Sequence, residues 1–112
     1  MSSTCEIPRW QILKQNLFNL PPTEFIRSFK NDKGAVLIDV RTEEELIDKL
    51  PQAIHIDYLA KDFLEKLDQL DRNASYYIYC RTGRRSVRTG ILMQNWGFKG
   101  PITNMDGGLT SL

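Results

Sequence analysis

Tyr76-Tyr77-Ile78-Tyr79-Cys80-Arg81-Thr82-Gly83-Arg84-Arg85-Ser86-Val87 is the stretch that decides how this chain is read. Its first residues are aromatic and β-branched, the composition of a strand, and that strand ends at Cys80. From about Gly83 to Trp96 the spacing changes: Val87, Ile91, Leu92 and Trp96 recur with helical period, and Gly97 stops the run. A cysteine thus stands between a strand and a helix.

Working outward, the flanking segments repeat the alternation. Asn73-Ala74-Ser75 is a turn, and before it Leu59, Phe63, Leu67 and Leu70 predict an amphipathic helix that Asp57 can cap. Ala53-Ile54-His55-Ile56 predicts a short strand after the breaker Pro51. Ala35-Val36-Leu37-Ile38-Asp39-Val40 is almost continuously apolar, the pattern of a strand covered on both faces. Thr42-Glu43-Glu44-Glu45 resembles an N-cap with an acidic first turn and predicts a short helix to about Lys49. Thr23 to Lys30 predicts another, with Phe25, Ile26 and Phe29 on one side. Beyond the central helix, Pro101-Ile102-Thr103-Asn104-Met105 predicts a last strand before Gly107-Gly108.

Strands alternating with helices argue for an α/β fold with a small central parallel sheet of about four to five strands, helices on both faces and right-handed crossovers. Residues 1–19 read as an N-terminal extension, with a helix from Pro8 through Trp10, Leu13 and Leu17, and residues 20–112 as the domain. In such sheets ligands bind beyond the carboxyl ends of the strands, and Cys80 marks one such end.

Composition narrows the function. The 112 residues are 41% hydrophobic and 26% charged, and 15 basic against 14 acidic residues leave a formal charge of +1. A disordered chain is excluded, and no whole-molecule field exists to hold nucleic acid or a membrane surface. The apolar runs are too short to span a bilayer, and Met1-Ser2-Ser3-Thr4-Cys5-Glu6 lacks the basic and apolar regions of a secretion signal, so a cytoplasmic protein is expected. Cys5 and Cys80 make no disulfide framework, His55 is the sole histidine, and neither a metal nor a cofactor is expected.

Cys80 is therefore read chemically. The thiolate is the reactive form of cysteine, and a helix N-terminus offers unpaired N–H groups and the positive end of the macrodipole, which favour an anion. Gly83 lets the loop curl so that amides turn inward around the sulfur. Thr82 and Ser86 add hydroxyl donors, and Arg81, Arg84, Arg85 and Arg88 add cations suited to an oxyanion. A cysteine at a strand end is, alone, usually a small buried hydrophobe, and arginines along a helix are usually a solvated face. The combination carries the reading.

Cys80-Arg81-Thr82-Gly83-Arg84-Arg85-Ser86 resembles the active loop of the single-domain rhodanese-like (thiosulfate sulfurtransferase) family. Leu37 to Glu45 is similar to the family's first block, Pro51 to Ile56 to its second, and Gly97-Phe98 with Asn104-Met105-Asp106-Gly107-Gly108 to its C-terminal signature. The resemblance implies that Cys80 takes the outer sulfur of a thiosulfate-like anion, holds it as a persulfide, and yields it to cyanide, a thiol or an acceptor protein. It implies that the amides of residues 81–85 stabilise the persulfide, that Arg81, with Arg84 or Arg85, steers the donor, and that Asp39, Arg41 and Ser86 support the loop.

This chain departs from the family where Asp48-Lys49 precedes Leu50-Pro51 and where Gln52 replaces a common glycine; the expectation is an altered surface turn. His55 reads as a strand residue, Cys5 as a bystander, and Tyr76, Tyr77 and Tyr79 as packing. Two rivals remain. A phosphatase loop needs one more residue between cysteine and arginine than separates Cys80 from Arg85, and the position that would follow is Ser86. A persulfide carrier or regulatory binding module would use the same fold without turnover of small molecules.

Overall fold

The computed structural model describes residues 7–43 and 49–112. Strands β1 (Phe18–Leu20), β2 (Val36–Asp39), β3 (Ile54–His55), β4 (Tyr76–Tyr79) and β5 (Ile102–Met105) form one sheet in the order β1-β5-β4-β2-β3. All these pairings are parallel, as the near-continuous apolar run at β2 requires. Helices α1 (Arg9–Leu13), α2 (Pro22–Lys30), α3 (Phe63–Asp68) and α4 (Arg84–Asn95) surround it, with 3-10 turns at Lys14–Asn16 and Gly108–Ser111.

The two-residue period of each strand sorts the core into two layers. Ile38, Val40, Tyr76, Ile78, Cys80 and Ile102 project to one face and are covered by α1, α3 and α4 through Trp10, Phe63, Leu67, Val87 and Met93. Leu37, Tyr77, Tyr79 and Met105 project to the other, under Phe25, Ile26 and Phe29 of α2. There Tyr77 meets Phe25 and Phe29 edge to face at ring-centroid distances of 5.4 and 5.6 Å, contacts worth about 0.5–1.5 kcal/mol each beyond area burial. The expected sheet, with helices on both faces, is the one observed.

Two elements differ from expectation. Phe18 and Asn19, read as part of an extension, belong to β1, which pairs with β5 at the sheet edge; Leu17 beside them is buried and α1 lies against α4. The helix expected from Leu59 begins only at Phe63, and Leu59 is 66% exposed. Asp57 is the cause: its Oδ1 accepts the Leu59 N–H at 2.8 Å and its Oδ2 the Glu43 N–H at 3.3 Å, so the carboxylate holds a turn instead of capping a helix. The helix expected over residues 42–49 falls largely on residues outside those described.

The strand order positions the site. From β4 the chain moves through α4 to β5 on one side, whereas β2 is followed by β3 on the other. The crevice beyond the carboxyl ends of β4 and β2 is therefore the topological switch point of the sheet, where ligands bind in folds of this kind. Cys80 follows β4 directly.

Candidate active site

Cys80 lies one residue past β4 and points to the face covered by α4, its side chain packed among core residues with 2% of its surface exposed. The Val40 N–H donates to the Tyr79 carbonyl at 3.1 Å, which keeps the exits of β2 and β4 together. After Cys80 the backbone must reverse within three residues to enter α4. Gly83 makes this possible at φ +96°, a left-handed conformation that suits glycine, and it precedes the first residue of the helix. Its N–H donates to the Cys80 Sγ at 3.1 Å, which is the inward-turned amide expected from the sequence.

The loop is closed from behind by the C-terminal turn. The Leu109 N–H donates to the Cys80 carbonyl and the Thr110 N–H to the Arg81 carbonyl, both at 3.0 Å. With these carbonyls held on the far side, the Gly83 amide is left to face the sulfur. Such close backbone contact demands glycine: a Cβ at Gly108 would stand 2.3 Å from the Arg81 carbonyl oxygen.

In front of the sulfur lies an open cleft of about 380 Å³ lined by Cys80, Arg81, Thr82, Arg84, Arg85 and Arg88. All four arginines therefore reach the same mouth. Two of them stand over aromatic rings, Arg84 at 5.6 Å from the Trp10 ring centre and Arg85 at 5.6 Å from that of Tyr58. The cleft can accept a small anion, and the Cys80 thiol is part of its lining.

Asp39 and Arg41 pair at the carboxyl end of β2. Arg41 Nη2 lies 2.8 Å from Asp39 Oδ2, its Nε is 3.1 Å from both carboxylate oxygens, and its backbone N–H donates to Oδ1 at 2.9 Å. Both are buried, so the pair is fully hydrogen-bonded at the point where a lone charge would be most costly. Arg41 also stands 5.8 Å from the Tyr79 ring centre, on the residue that precedes Cys80. His55 Nε2 is 2.7 Å from the Arg41 carbonyl, which places it beside this brace and not at the sulfur. Cys5 lies outside the described residues.

Ser86 is fully buried, and its Oγ is 3.5 Å from the Cys80 Sγ. The same oxygen is 3.1 Å from the Gly83 carbonyl and 2.5 Å from Asn104 Oδ1. Asn104 Nδ2 in turn donates to Asn19 Oδ1 at 3.1 Å, and Asn19 Nδ2 donates to the carbonyls of Lys14 and Leu17 at 2.8 and 3.0 Å. Neither asparagine was singled out from the sequence as part of the site. The available signal was a carboxamide in the middle of the expected strand at β5, a position that needs a polar partner once it is buried. Among the described residues no group of three or more His, Cys, Asp or Glu side chains could hold a metal ion, and no helix is long and apolar enough to cross a membrane.

Comparison with known proteins gives this geometry a family. The model of the rhodanese-like domain matches residues 22–112. The Bacillus subtilis (strain 168) protein named "Putative sulfurtransferase YtwF" is 38% identical over 79 residues, covering 70% of this chain and 73% of that one. Among solved structures, a rhodanese-like domain protein from Staphylococcus aureus superposes with a TM-score of 0.72 at 25% identity, over 85% of this chain and 90% of that one. The polysulfide-sulfur transferase homodimer of Wolinella succinogenes shares the fold, with a TM-score of 0.74 at 23% identity over 92% and 77% of the two chains. By its sheet, its cysteine loop and these matches, the chain belongs to the rhodanese-like domain family.

Proposed function

We propose that this protein is a sulfurtransferase that moves a sulfane sulfur from a thiosulfate-like anion to a thiol or cyanide through a persulfide on Cys80. The observation that carries the reading is the Cys80 sulfur at the base of a glycine-turned loop, 3.1 Å from the Gly83 N–H and open to a cleft lined by four arginines. The Cys80 thiolate attacks the outer sulfur of the donor; the new S–S bond forms as the donor's own S–S bond breaks, and sulfite leaves with the electron pair. An acceptor nucleophile then attacks the outer persulfide sulfur, and the thiolate of Cys80 departs. Backbone N–H groups at the start of α4 and the Gly83 amide favour the anionic sulfur species, and Arg81, with Arg84 or Arg85, attracts the donor. Asp39 and Arg41 hold the exit of β2 beside the loop.

The loop supports sulfur over phosphoryl transfer. The position at which an arginine would complete a phosphate-binding ring is occupied by Ser86, whose buried hydroxyl faces the sulfur. A small ring of this kind fits one sulfur atom better than a tetrahedral oxyanion.

Mass spectrometry of the intact protein after thiosulfate is the test. Gain of one sulfur atom, reversed by cyanide and absent in Cys80→Ala, is expected. A sulfur that survives cyanide and leaves only on mixing with an acceptor protein would instead favour a dedicated persulfide carrier.

A further inference from the structure

The chain of side-chain contacts behind Cys80 has a direction. Asn19 Nδ2 faces two backbone carbonyls, which only accept hydrogen bonds, so the orientation of the Asn19 carboxamide is fixed with its oxygen toward Asn104. Asn104 must then present its NH2 to Asn19 and its Oδ1 to Ser86. Ser86 carries a single hydrogen, and its two closest oxygen neighbours, Asn104 Oδ1 at 2.5 Å and the Gly83 carbonyl at 3.1 Å, are both acceptors. What Ser86 has left for the sulfur 3.5 Å away is a lone pair.

We infer that Asn19 is a positioning residue for Cys80: acting through Asn104, it commits the Ser86 hydrogen away from the sulfur, so that Ser86 accepts from the Cys80 S–H and donates nothing to the thiolate. The sequence reading had Ser86 as a donor to the sulfur; the hydrogen-bond chain assigns it the opposite polarity. A hydroxyl donating to a thiolate draws off the electron pair that must attack the donor. With the hydroxyl withheld, the inner side of the sulfur receives the Gly83 N–H and the outer lone pairs remain directed at the cleft. The source of this polarity is β1, which precedes the residues 22–112 that match the family, so the N-terminal segment completes the site and is more than an appendage. Buried polar chains of this kind act as units, because each member's orientation is dictated by the next.

In Asn19→Ala the Asn104 carboxamide loses the partner that orients it and can rotate to offer its NH2 to Ser86; the Ser86 hydrogen is then shared between the Gly83 carbonyl at 3.1 Å and the sulfur at 3.5 Å and is no longer committed away from the sulfur. The consequence for turnover rests on the proposed Cys80 chemistry, whereas the consequence for the S–H bond does not. The first readout is therefore the infrared S–H stretch of protonated Cys80 in a Cys5→Ser background. A thiol that donates a hydrogen bond absorbs at lower frequency than a free one. The expected result is a lowered band in the otherwise unchanged protein and a shift back toward the free-thiol frequency in Asn19→Ala. The second readout is turnover with thiosulfate and cyanide, where kcat should fall about threefold to tenfold, the equivalent of one hydrogen bond, with KM for thiosulfate held. A band at the free-thiol frequency before any change at Asn19 would overturn the inference without recourse to the variant. So would an Asn19→Ala protein whose band stays in place, whether its turnover falls or not, since a merely structural role predicts that outcome. If neither protein turns over while the band shifts as expected, the relay stands and the proposed sulfur transfer fails.

Discussion

Gln52 holds φ at +70°, the single non-glycine among the described residues in the left-handed region. The Ala53 N–H donates to the Leu50 carbonyl at 3.2 Å across Pro51 and Gln52, so proline fills the second and a positive φ the third position, the pattern of a type II turn that favours glycine there. The family commonly has a glycine at this point, and here a side chain bears the strain. The left-handed conformation costs an L-residue roughly 1–2 kcal/mol, and glycine gives back roughly 0.5–1 kcal/mol through the freedom of the unfolded chain. Gln52→Gly should therefore stabilise the protein by about 0.5–1 kcal/mol, seen as a higher urea midpoint at unchanged slope. A lower midpoint would mean that the Gln52 side chain contributes contacts that outweigh its backbone strain.

At the scale of elements, the loop that carries Cys80 is set by what lies on either side of it. The 3-10 turn Gly108–Ser111 holds the carbonyls of Cys80 and Arg81 from behind, and α4 begins immediately in front. Gly108→Ala would drive a Cβ into the Arg81 carbonyl and displace the loop, because that atom is backbone and cannot swing aside. Misplacing a nucleophile by a fraction of an ångström to one ångström costs up to about 100-fold. Persulfide formation in Gly108→Ala, followed by stopped mixing with thiosulfate, should fall on the order of 10- to 100-fold while urea unfolding shows a loss of only about 1–3 kcal/mol. Equal activity in the two proteins would show that the turn does not position the loop.

These elements also differ in how far the sequence disclosed them. The strand before Cys80 and the helix after Gly83 were legible because Tyr76 to Tyr79 are all aromatic or β-branched, Val87 to Trp96 keep a helical period and Gly83 stands where the backbone must reverse. Strand β1 was not, since three residues at a sheet edge with Phe18 exposed carry no alternation, and the preceding Leu13 and Leu17 continue a helical spacing. The start of α3 was misplaced because Asp57 has the chemistry of a cap and spends it on a turn. Cys80, Gly83 and the arginines could be placed at one mouth by motif and spacing. Asn19 and Asn104 could not, because they are 85 residues apart and only the pairing of β1 with β5 brings them together.

For the whole molecule, a charge of +1 conceals a local concentration of arginine at the cleft, where an anionic donor would be drawn in. The core has a different electrostatic signature. Burial pushes Tyr79 well above the ordinary tyrosine value, and burial likewise raises Tyr76, with the Asp71 charge adding to it, and Tyr77, beside Asp32. These phenols stay protonated in the folded protein at pH values where the unfolded chain releases the proton. Their contribution is complete below the unfolded value of about 10 and is lost as pH rises from there toward the folded values. The melting temperature should fall as pH rises above about 10, and more gently in Tyr79→Phe, which removes the most strongly shifted of the three. A melting temperature that holds constant over that range would contradict the assignment.

The proposed sulfur transfer depends on Cys80, and formation of thiocyanate from thiosulfate and cyanide tests it most directly, with the unchanged protein, Cys80→Ala and Cys5→Ala measured side by side. Activity in the unchanged protein and in Cys5→Ala, with none in Cys80→Ala, is the predicted result. Activity that survives in Cys80→Ala, or its absence from the folded unchanged protein, would contradict a sulfurtransferase working through this cysteine.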